Sequence, residues 1–476
     1  MKTIRPDILQ ELKTAAGEGG WIEDGESKAP YLSDERNLFI GQTDIILKPD
    51  STSAIAEIVR ICSQENIGVV PQGGNTGYCG GSIPNADGSE IIVALSRLNR
   101  IRNIDLPNNT ITVEAGCVLA DIQTKAEDAD KLFPLSLGAE GSCQIGGNLA
   151  TNAGGIQVLR YGNARDLVLG LEVVLPNGQI FEGLKTLRKN NTGYDLKQLF
   201  LGAEGTLGII TAASLKLYPR PNQKITAIIA LTNPKAAVSL LSRLQCDIEG
   251  SITSYEIFNR ACLDLVLEHI NGARDPFNKP YHTYVLIEIS ASQTNLNIKS
   301  SLEKLLSGAL DAMALLDAVI ASSGEQSVDF WRLREAMPEA QKRAGRCIKH
   351  DISVPISKVA EFIDQATKHT KNNIKDVKVI VFGHIGDGNI HFNLTQSLLD
   401  SADEFLSHTN KISSAIHDIA MNLGGSFSAE HGIGILKIPE MERYKSAIEQ
   451  DLMAMIKKTI DPKNIMNPGK VVSLKN

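Results

Sequence analysis

Pro71-Gln72-Gly73-Gly74-Asn75-Thr76-Gly77-Tyr78-Cys79-Gly80-Gly81-Ser82 joins two strand-like runs, Gly68-Val69-Val70 before it and Ile91-Ile92-Val93-Ala94-Leu95 after it. No helix lies between them, and that setting argues against both common phosphate loops. A Walker A loop needs Lys-Ser/Thr after its last glycine, and a dinucleotide GxGxxG passes from a strand into a helix. What remains is a run of backbone N–H groups able to point inward, since glycine tolerates positive φ. Such a nest holds a pyrophosphate without a lysine or a helix dipole. A flexible surface loop has the same composition, so this segment alone leaves both readings open.

Two further segments continue the pattern. Gly138-Ala139-Glu140-Gly141-Ser142-Cys143-Gln144-Ile145-Gly146-Gly147-Asn148-Leu149-Ala150-Thr151-Asn152-Ala153-Gly154-Gly155 is built almost wholly of small residues, and Gly202-Ala203-Glu204-Gly205-Thr206-Leu207-Gly208 repeats the style. Of 40 glycines, 21 fall between Gly73 and Gly208, with no collagen-like period. Three small-residue loops in one region suit contact lines along one long, flat ligand, so a large cofactor is the favoured reading. Around them, Ile55, Ile58, Val59 and Cys62 repeat at helical spacing, and the stretch from Thr110 to Leu217 reads mostly as strands with one helix near Ile122.

Tyr218-Pro219-Arg220-Pro221-Asn222 marks a boundary. Beyond it glycine is scarce, and strands (Ile225–Leu231, Tyr284–Ile289, Val377–Phe382) alternate with helical stretches near 235–245, 295–316 and 357–369, in the manner of βαβ units of an α+β domain. Helices over 402–423, ending at Gly424-Gly425, and over 439–459 complete the chain. The expected domains are 1–218, 219–424 and a C-terminal segment 425–476 that returns to the first.

The totals narrow the function class. Across 476 residues, 48 Lys+Arg stand against 55 Asp+Glu, a net charge of −7, with no basic stripe of the kind nucleic acid requires. No run of 18 apolar residues suggests a membrane span. Met1-Lys2-Thr3-Ile4-Arg5-Pro6-Asp7 passes straight into an amphipathic pattern, so no leader peptide is expected. Seven cysteines without a CxxC pair suit reduced thiols and a cytoplasmic protein, with peripheral delivery to an inner membrane left open.

A second constellation lies at Val377-Lys378-Val379-Ile380-Val381-Phe382-Gly383-His384-Ile385-Gly386-Asp387-Gly388-Asn389-Ile390-His391-Phe392-Asn393-Leu394. Asp-Gly at a two-residue turn is a strong hairpin signal. With Asp387-Gly388 at the tip, His384 is expected opposite His391, and Asn393 on the same face. Two imidazoles so placed could share a divalent ion, and a third ligand could come from Phe427-Ser428-Ala429-Glu430-His431-Gly432-Ile433-Gly434. Each histidine alone is more often structural, and the last segment could equally be a surface loop.

Taken together, these motifs resemble the vanillyl-alcohol oxidase/p-cresol methylhydroxylase flavoprotein superfamily over nearly the whole chain, closest to its branch of D-2-hydroxyglutarate and D-lactate dehydrogenases. The resemblance implies an α+β fold: a two-subdomain FAD-binding domain of p-cresol methylhydroxylase type, a ferredoxin-like α+β substrate domain and a C-terminal helical segment. It implies that Pro71, Gln72, Gly73, Gly74, Asn75, Thr76, Gly77, Gly80, Gly81 and Ser82 hold the pyrophosphate of FAD. Gly138, Gly141, Ser142, Gly146, Gly147, Asn148, Thr151, Asn152, Gly154, Gly205, Thr206, Gly208 and Ile209 would line the rest. Relatives that attach flavin covalently use a histidine in the first loop; Asn75 and Thr76 here imply non-covalent FAD.

The family's G-H-x-G-D-G-N-x-H and S-A-E-H-G motifs imply His384, His391 and Glu430 as metal ligands, His431 as catalytic base and Asn393 as a polar contact of the substrate. Zinc suits those ligand types, with manganese or iron as alternatives. Matching positions imply Arg334 and Lys349 as holders of a distal carboxylate, although some relatives carry a hydroxyl residue where this chain has Pro338. The implied reaction is oxidation of a D-2-hydroxy acid, foremost D-2-hydroxyglutarate, with hydride passing to flavin N5. Electrons then leave to an electron-transfer flavoprotein, a quinone or a cytochrome, and a homodimer is a candidate assembly. A D-lactate dehydrogenase is the alternative within the class. A metallohydrolase using the His/His/Glu set, or a structural metal protein, would leave the three glycine loops without a purpose.

Overall fold

The computed structural model describes residues 4–248, 250–293, 297–396 and 402–474. The chain forms two units. The first comprises the residues up to Gly154, Gly162–Arg220 and Glu430 onward; the second comprises Gly155–Tyr161 and Pro221–Ala429. The second unit therefore takes a short excursion from within the long glycine segment.

In the first unit the helix Thr52–Glu65 starts where the Ser51 hydroxyl accepts from Ala54 N–H, and it stops at Asn66, whose φ of 54° is left-handed. Its buried stripe holds Ile55, Ile58, Val59 and Cys62, as the spacing predicts, and adds Ile61. This helix leads into the strand Gly68–Gln72, which pairs in parallel with Glu90–Ala94; Ile46–Leu47 and Trp21–Ile22 complete a four-stranded sheet. The other side of Gly68–Gln72 is covered by the C-terminal segment. There Val69 N–H donates to Ile465 O at 2.7 Å, and Asn467 N–H donates to Val69 O at 2.8 Å. A five-stranded antiparallel sheet follows, in the order Ile101–Asp105, Thr110–Glu114, Ile209–Lys216, Val168–Val174, Ile180–Gly183.

The second unit is built on an eight-stranded sheet in which every pairing is antiparallel. Side chains alternate between two apolar cores. Ile229, Ile257, Ile287 and Phe392 face helices 234–247, 298–311, 359–373 and 409–422, while Ile228, Phe258, Leu286 and Phe382 face helices 260–269, 324–335 and 337–344. Because helices cover both faces, the central strands read as continuous apolar runs instead of alternating ones. The sheet is thus wider than a ferredoxin-like one and covered on both sides.

Candidate active site

In the first unit, segments 71–82, 143–151 and 204–210 line one cleft of about 940 Å³, open solvent included. The glycines explain how the segments approach. A Cβ on Gly74 would lie 2.1 Å from Ser142 O, and one on Gly205, where φ is +73°, would lie 2.4 Å from the Pro71 ring. By contrast, a Cβ on Gly77 or Gly147 would meet nothing within 4 Å. Gly74 lets backbone meet backbone and Gly205 makes room for a proline ring; the second pair leaves the cleft open. Positive φ is not the reason for the glycines at 73, 74 and 77, contrary to expectation. The left-handed residue in that run is Asn75, at 54°. Its side chain brackets the loop, donating to Pro30 O and Ser33 O and accepting from the Ser82 hydroxyl at 2.8 Å.

Among the described residues, the backbone N–H groups of Gly73, Gly74, Asn75, Thr76 and Gly77 meet no protein acceptor. Gln72 Oε1, Gln144 Oε1 and Asn148 Oδ1, all on residues of the cleft, are buried without a hydrogen-bond partner. Native proteins rarely leave such groups unmatched unless a ligand or water completes them.

Of the positions expected to line a cofactor, Gly80, Gly138, Gly141, Ser142, Asn152, Gly154 and Thr206 fall outside the cleft lining. Several are committed elsewhere. Gly80 gives room to the Phe39 ring, Asn152 Oδ1 accepts from Arg165 N–H, and the Thr206 hydroxyl donates to Ala203 O. Glu204 was not foreseen. It lines the cleft, is buried and accepts from Ile433 N–H at 2.7 Å and Gly434 N–H at 2.9 Å; burial pushes its carboxyl up. It thereby ties the third glycine loop to the segment that carries His431.

His431 lines the same cleft. Tyr78 meets its ring edge-on at 4.9 Å between centroids, the Arg36 guanidinium lies 4.4 Å over the Tyr78 ring, and burial pushes the Tyr78 phenol up. The Glu430 carboxylate stands 3.9 Å from His431 Nε2.

The second unit holds the hairpin histidines, with a register other than the expected one. His391 pairs with Phe382 on one side and with Asp351 on the other; His384 has left the ladder. The connection is a wider turn in which His384 O accepts from Asp387 N–H and Gly388 N–H, while Asp387 Oδ1 accepts from Asn389 N–H. The two imidazoles are nonetheless close, with ring centroids 5.9 Å apart, and both are buried. Asn393 shares the His391 face, but its amide is engaged in the fold, accepting from His350 N–H and donating to Gln341 Oε1.

Two carboxylates back these rings. Glu256 Oε1 lies 2.7 Å from His384 Nδ1, and Asp351 Oδ1 lies 3.9 Å from His391 Nδ1. Glu256 Oε2 also receives Arg334 through Nε at 3.0 Å and Nη2 at 2.8 Å. Burial alone would push the Glu256 carboxyl up, but His384 and Arg334 outweigh it and hold it below the usual range. Arg334 is therefore buried in an ion pair and stacked 4.9 Å over the Phe382 ring, instead of extending to a substrate with its whole fork. Lys349 is exposed, between the strands Cys347–Ile348 and Asp351–Ser353. Neither Glu256 nor Asp351 was anticipated.

Comparison with known proteins supplies the family. The family model described as "FAD linked oxidases, C-terminal domain" matches residues 220–471, and that for "FAD binding domain" matches 43–183. The chain belongs to the FAD-linked oxidases. Within that family it is 37% identical over 462 residues to the mitochondrial D-2-hydroxyglutarate dehydrogenase of Arabidopsis thaliana, covering 97% of this chain and 80% of the relative. It is 34% identical over 480 residues to a putative mitochondrial D-lactate dehydrogenase of Schizosaccharomyces pombe, covering 98% and 90%. Among solved structures, p-cresol methylhydroxylase with substrate bound aligns with a TM-score of 0.77 at 14% identity, over 99% of this chain and 97% of that one, a likeness of fold. As an FAD-linked oxidase the chain needs room for a dinucleotide, and the unmatched amides and carbonyls of the cleft have the right chemistry for one. Among the described residues, no helix is long and apolar enough to cross a membrane.

Proposed function

We propose that this FAD-linked oxidase is a dehydrogenase that oxidises the secondary alcohol of a D-2-hydroxy acid, D-2-hydroxyglutarate foremost, to the 2-oxo acid. The observation that carries the reading is the His384–Glu256 contact. An imidazole that donates Nδ1–H to a carboxylate offers Nε2 as a donor, the usual arrangement of a metal-ligating histidine. With His391 it forms a buried nitrogen pair suited to zinc, manganese or iron. We assign His384 and His391 as ligands and, from the family motif, Glu430 as the third.

The residues then divide the work. The amides of Gly73 to Gly77 bind the pyrophosphate of non-covalent FAD, and the bare faces of Gly77 and Gly147 admit the rest of it. FAD, when bound, accepts the hydride. A divalent ion, when bound, makes an alcohol oxygen more acidic and favours substrates that can chelate through hydroxyl and carboxylate. His431 takes the hydroxyl proton as general base. Lys349 and the remaining nitrogen of Arg334 hold the distal carboxylate of a diacid, with Asn393 keeping that wall in place. Pro338 and the Schizosaccharomyces pombe relative favour D-lactate as the second reading. Electrons leave to a flavoprotein, a quinone or a cytochrome. All seven cysteines are free thiols, which supports a reducing compartment; both the cytoplasm and the mitochondrial location in the relatives' names meet that condition.

Anaerobic mixing with D- and L-2-hydroxy acids tests the proposal. D-2-hydroxyglutarate is expected to bleach the visible flavin band and its L-enantiomer to leave it. A protein that is colourless and stays so with added FAD, or a flavin that no D-acid bleaches, would overturn it.

A further inference from the structure

Glu256 sits in the middle of the strand Ile252–Asn259, with its side chain 1% exposed. Its neighbours Tyr255 and Ile257 belong to one apolar core and Phe258 to the other, so Glu256 points into the core that also holds Phe330, Leu333 and Phe382. A carboxylate there costs several kcal/mol unless both oxygens are matched. Both are, by different partners: Oε2 by Arg334 and Oε1 by His384. Since Arg334 already neutralises the charge, His384 needs no proton beyond the one it donates from Nδ1. The lone pair is then left on Nε2. The same carboxylate fixes two donors of the Arg334 fork, while among the described residues Nη1 meets no acceptor.

We propose that Glu256 is a positioning residue that ties the two arms of the substrate site together, setting His384 as an Nε2 donor to a divalent ion and turning Arg334 Nη1 toward an anionic group of the substrate. The inference rests on the assignment of His384 as a metal ligand.

Glu256→Gln replaces two acceptors by one acceptor and one donor. Arg334 can only donate, so it takes the amide oxygen. The amide NH₂ then faces His384 Nδ1, and the ring must carry its proton on Nε2, where the ion belongs. Changes behind a ligating histidine weaken metal binding by about 10–100-fold. Glu256→Asp keeps both acceptors on a shorter arm and should fall between wild type and Gln.

The test uses full-length, FAD-loaded protein stripped of metal, titrated with Zn²⁺, Mn²⁺ and Fe²⁺ against a chromophoric chelator. Flavin content and melting temperature without metal serve as controls, and ¹⁵N-histidine NMR reports the tautomer. The expected result is a loss of about 10–100-fold for Glu256→Gln, with the His384 proton moved to Nε2. A folded, flavin-bearing Gln variant with wild-type affinity and tautomer overturns the proposal. If the Gln variant does not fold, Glu256→Asp decides: weaker binding supports the role, and wild-type binding overturns it. His384→Ala separates the two claims. If it binds metal like wild type, or if wild type takes up none of the three ions, the ligand assignment falls and this inference with it. If His384→Ala loses metal while Glu256→Gln keeps it, the inference alone falls.

Discussion

The glycines of the cleft differ in what their missing side chains allow, and alanine at two of them should produce opposite effects on the empty protein. At Gly74 an added Cβ falls 1.3 Å short of the 3.4 Å at which ordinary contact begins, and its neighbour is the backbone carbonyl of Ser142. Backbone cannot swing away as a long side chain can, so Gly74→Ala should destabilise the flavin-free protein by about 1–3 kcal/mol or more. At Gly147 the added Cβ meets no protein atom within 4 Å, and the residue lies inside the helix Ile145–Ala150. Alanine is the better helix former there by roughly 0.5–1 kcal/mol. Gly147→Ala should therefore raise the melting temperature of the flavin-free protein by about 1–3 °C. If FAD occupies the space above Gly147, the same methyl intrudes on the cofactor. An overpacking cost of about 1–3 kcal/mol corresponds to a loss of about 5–150-fold in FAD affinity. Melting curves of deflavinated protein and fluorescence titration with FAD read the two quantities separately. A Gly147→Ala protein that melts higher yet binds FAD as tightly as wild type would refute this placement of the cofactor. An unchanged melt for Gly74→Ala would refute the close approach of the first two loops.

Three other outcomes are expected. His431→Ala should retain flavin and metal while turnover falls by about 10²–10⁴, the range of general-base catalysis, and an unchanged rate removes it from proton transfer. Lys349→Ala should raise KM for D-2-hydroxyglutarate more than for D-lactate; equal changes for both acids argue against a distal-carboxylate clamp. Glu204 has a folded pKa raised from 4.5 by burial, so its contribution to stability is fully present below that value and is lost as pH rises through the folded one. The stability of wild type relative to Glu204→Gln should therefore fall as pH rises above 4.5, and a pH-independent difference in melting temperature contradicts that.

The cofactor cleft was legible because its signal is local and repeated. Each glycine segment fixes its own loop, and three in succession between strands leave few other readings. The reason assigned to those glycines holds in part: Gly80 and Gly205 do take positive φ, but close approach accounts for Gly74, and the left-handed position between Gly73 and Gly77 falls to Asn75. The histidine hairpin was misread through the same reliance on local signals. Asp387-Gly388 favours a two-residue turn, but the strand Asn389–Thr395 is paired on both sides, and Gly388 lies where a Cβ would meet Val354 O at 2.1 Å. The third strand sets the register, and the turn widens to suit it.

Glu256 shows where a different inference was available. In Ser251-Ile252-Thr253-Ser254-Tyr255-Glu256-Ile257-Phe258-Asn259 the polar Ser254 and Glu256 alternate with Tyr255 and Ile257, which locally suggests one solvent face, so the glutamate looks ordinary. Its partners lie 78 and 128 residues away, beyond any local window. The neighbouring strands give the missing clue. Tyr284–Ile289 and Val379–Phe382 are apolar at nearly every position, which marks a sheet covered on both sides. In such a sheet no strand position is cheap for a charge, so a lone carboxylate on a central strand must have matched partners. Arg334 and His384 were already singled out for their chemistry, and the second covered face is what makes Glu256 the residue that must join them.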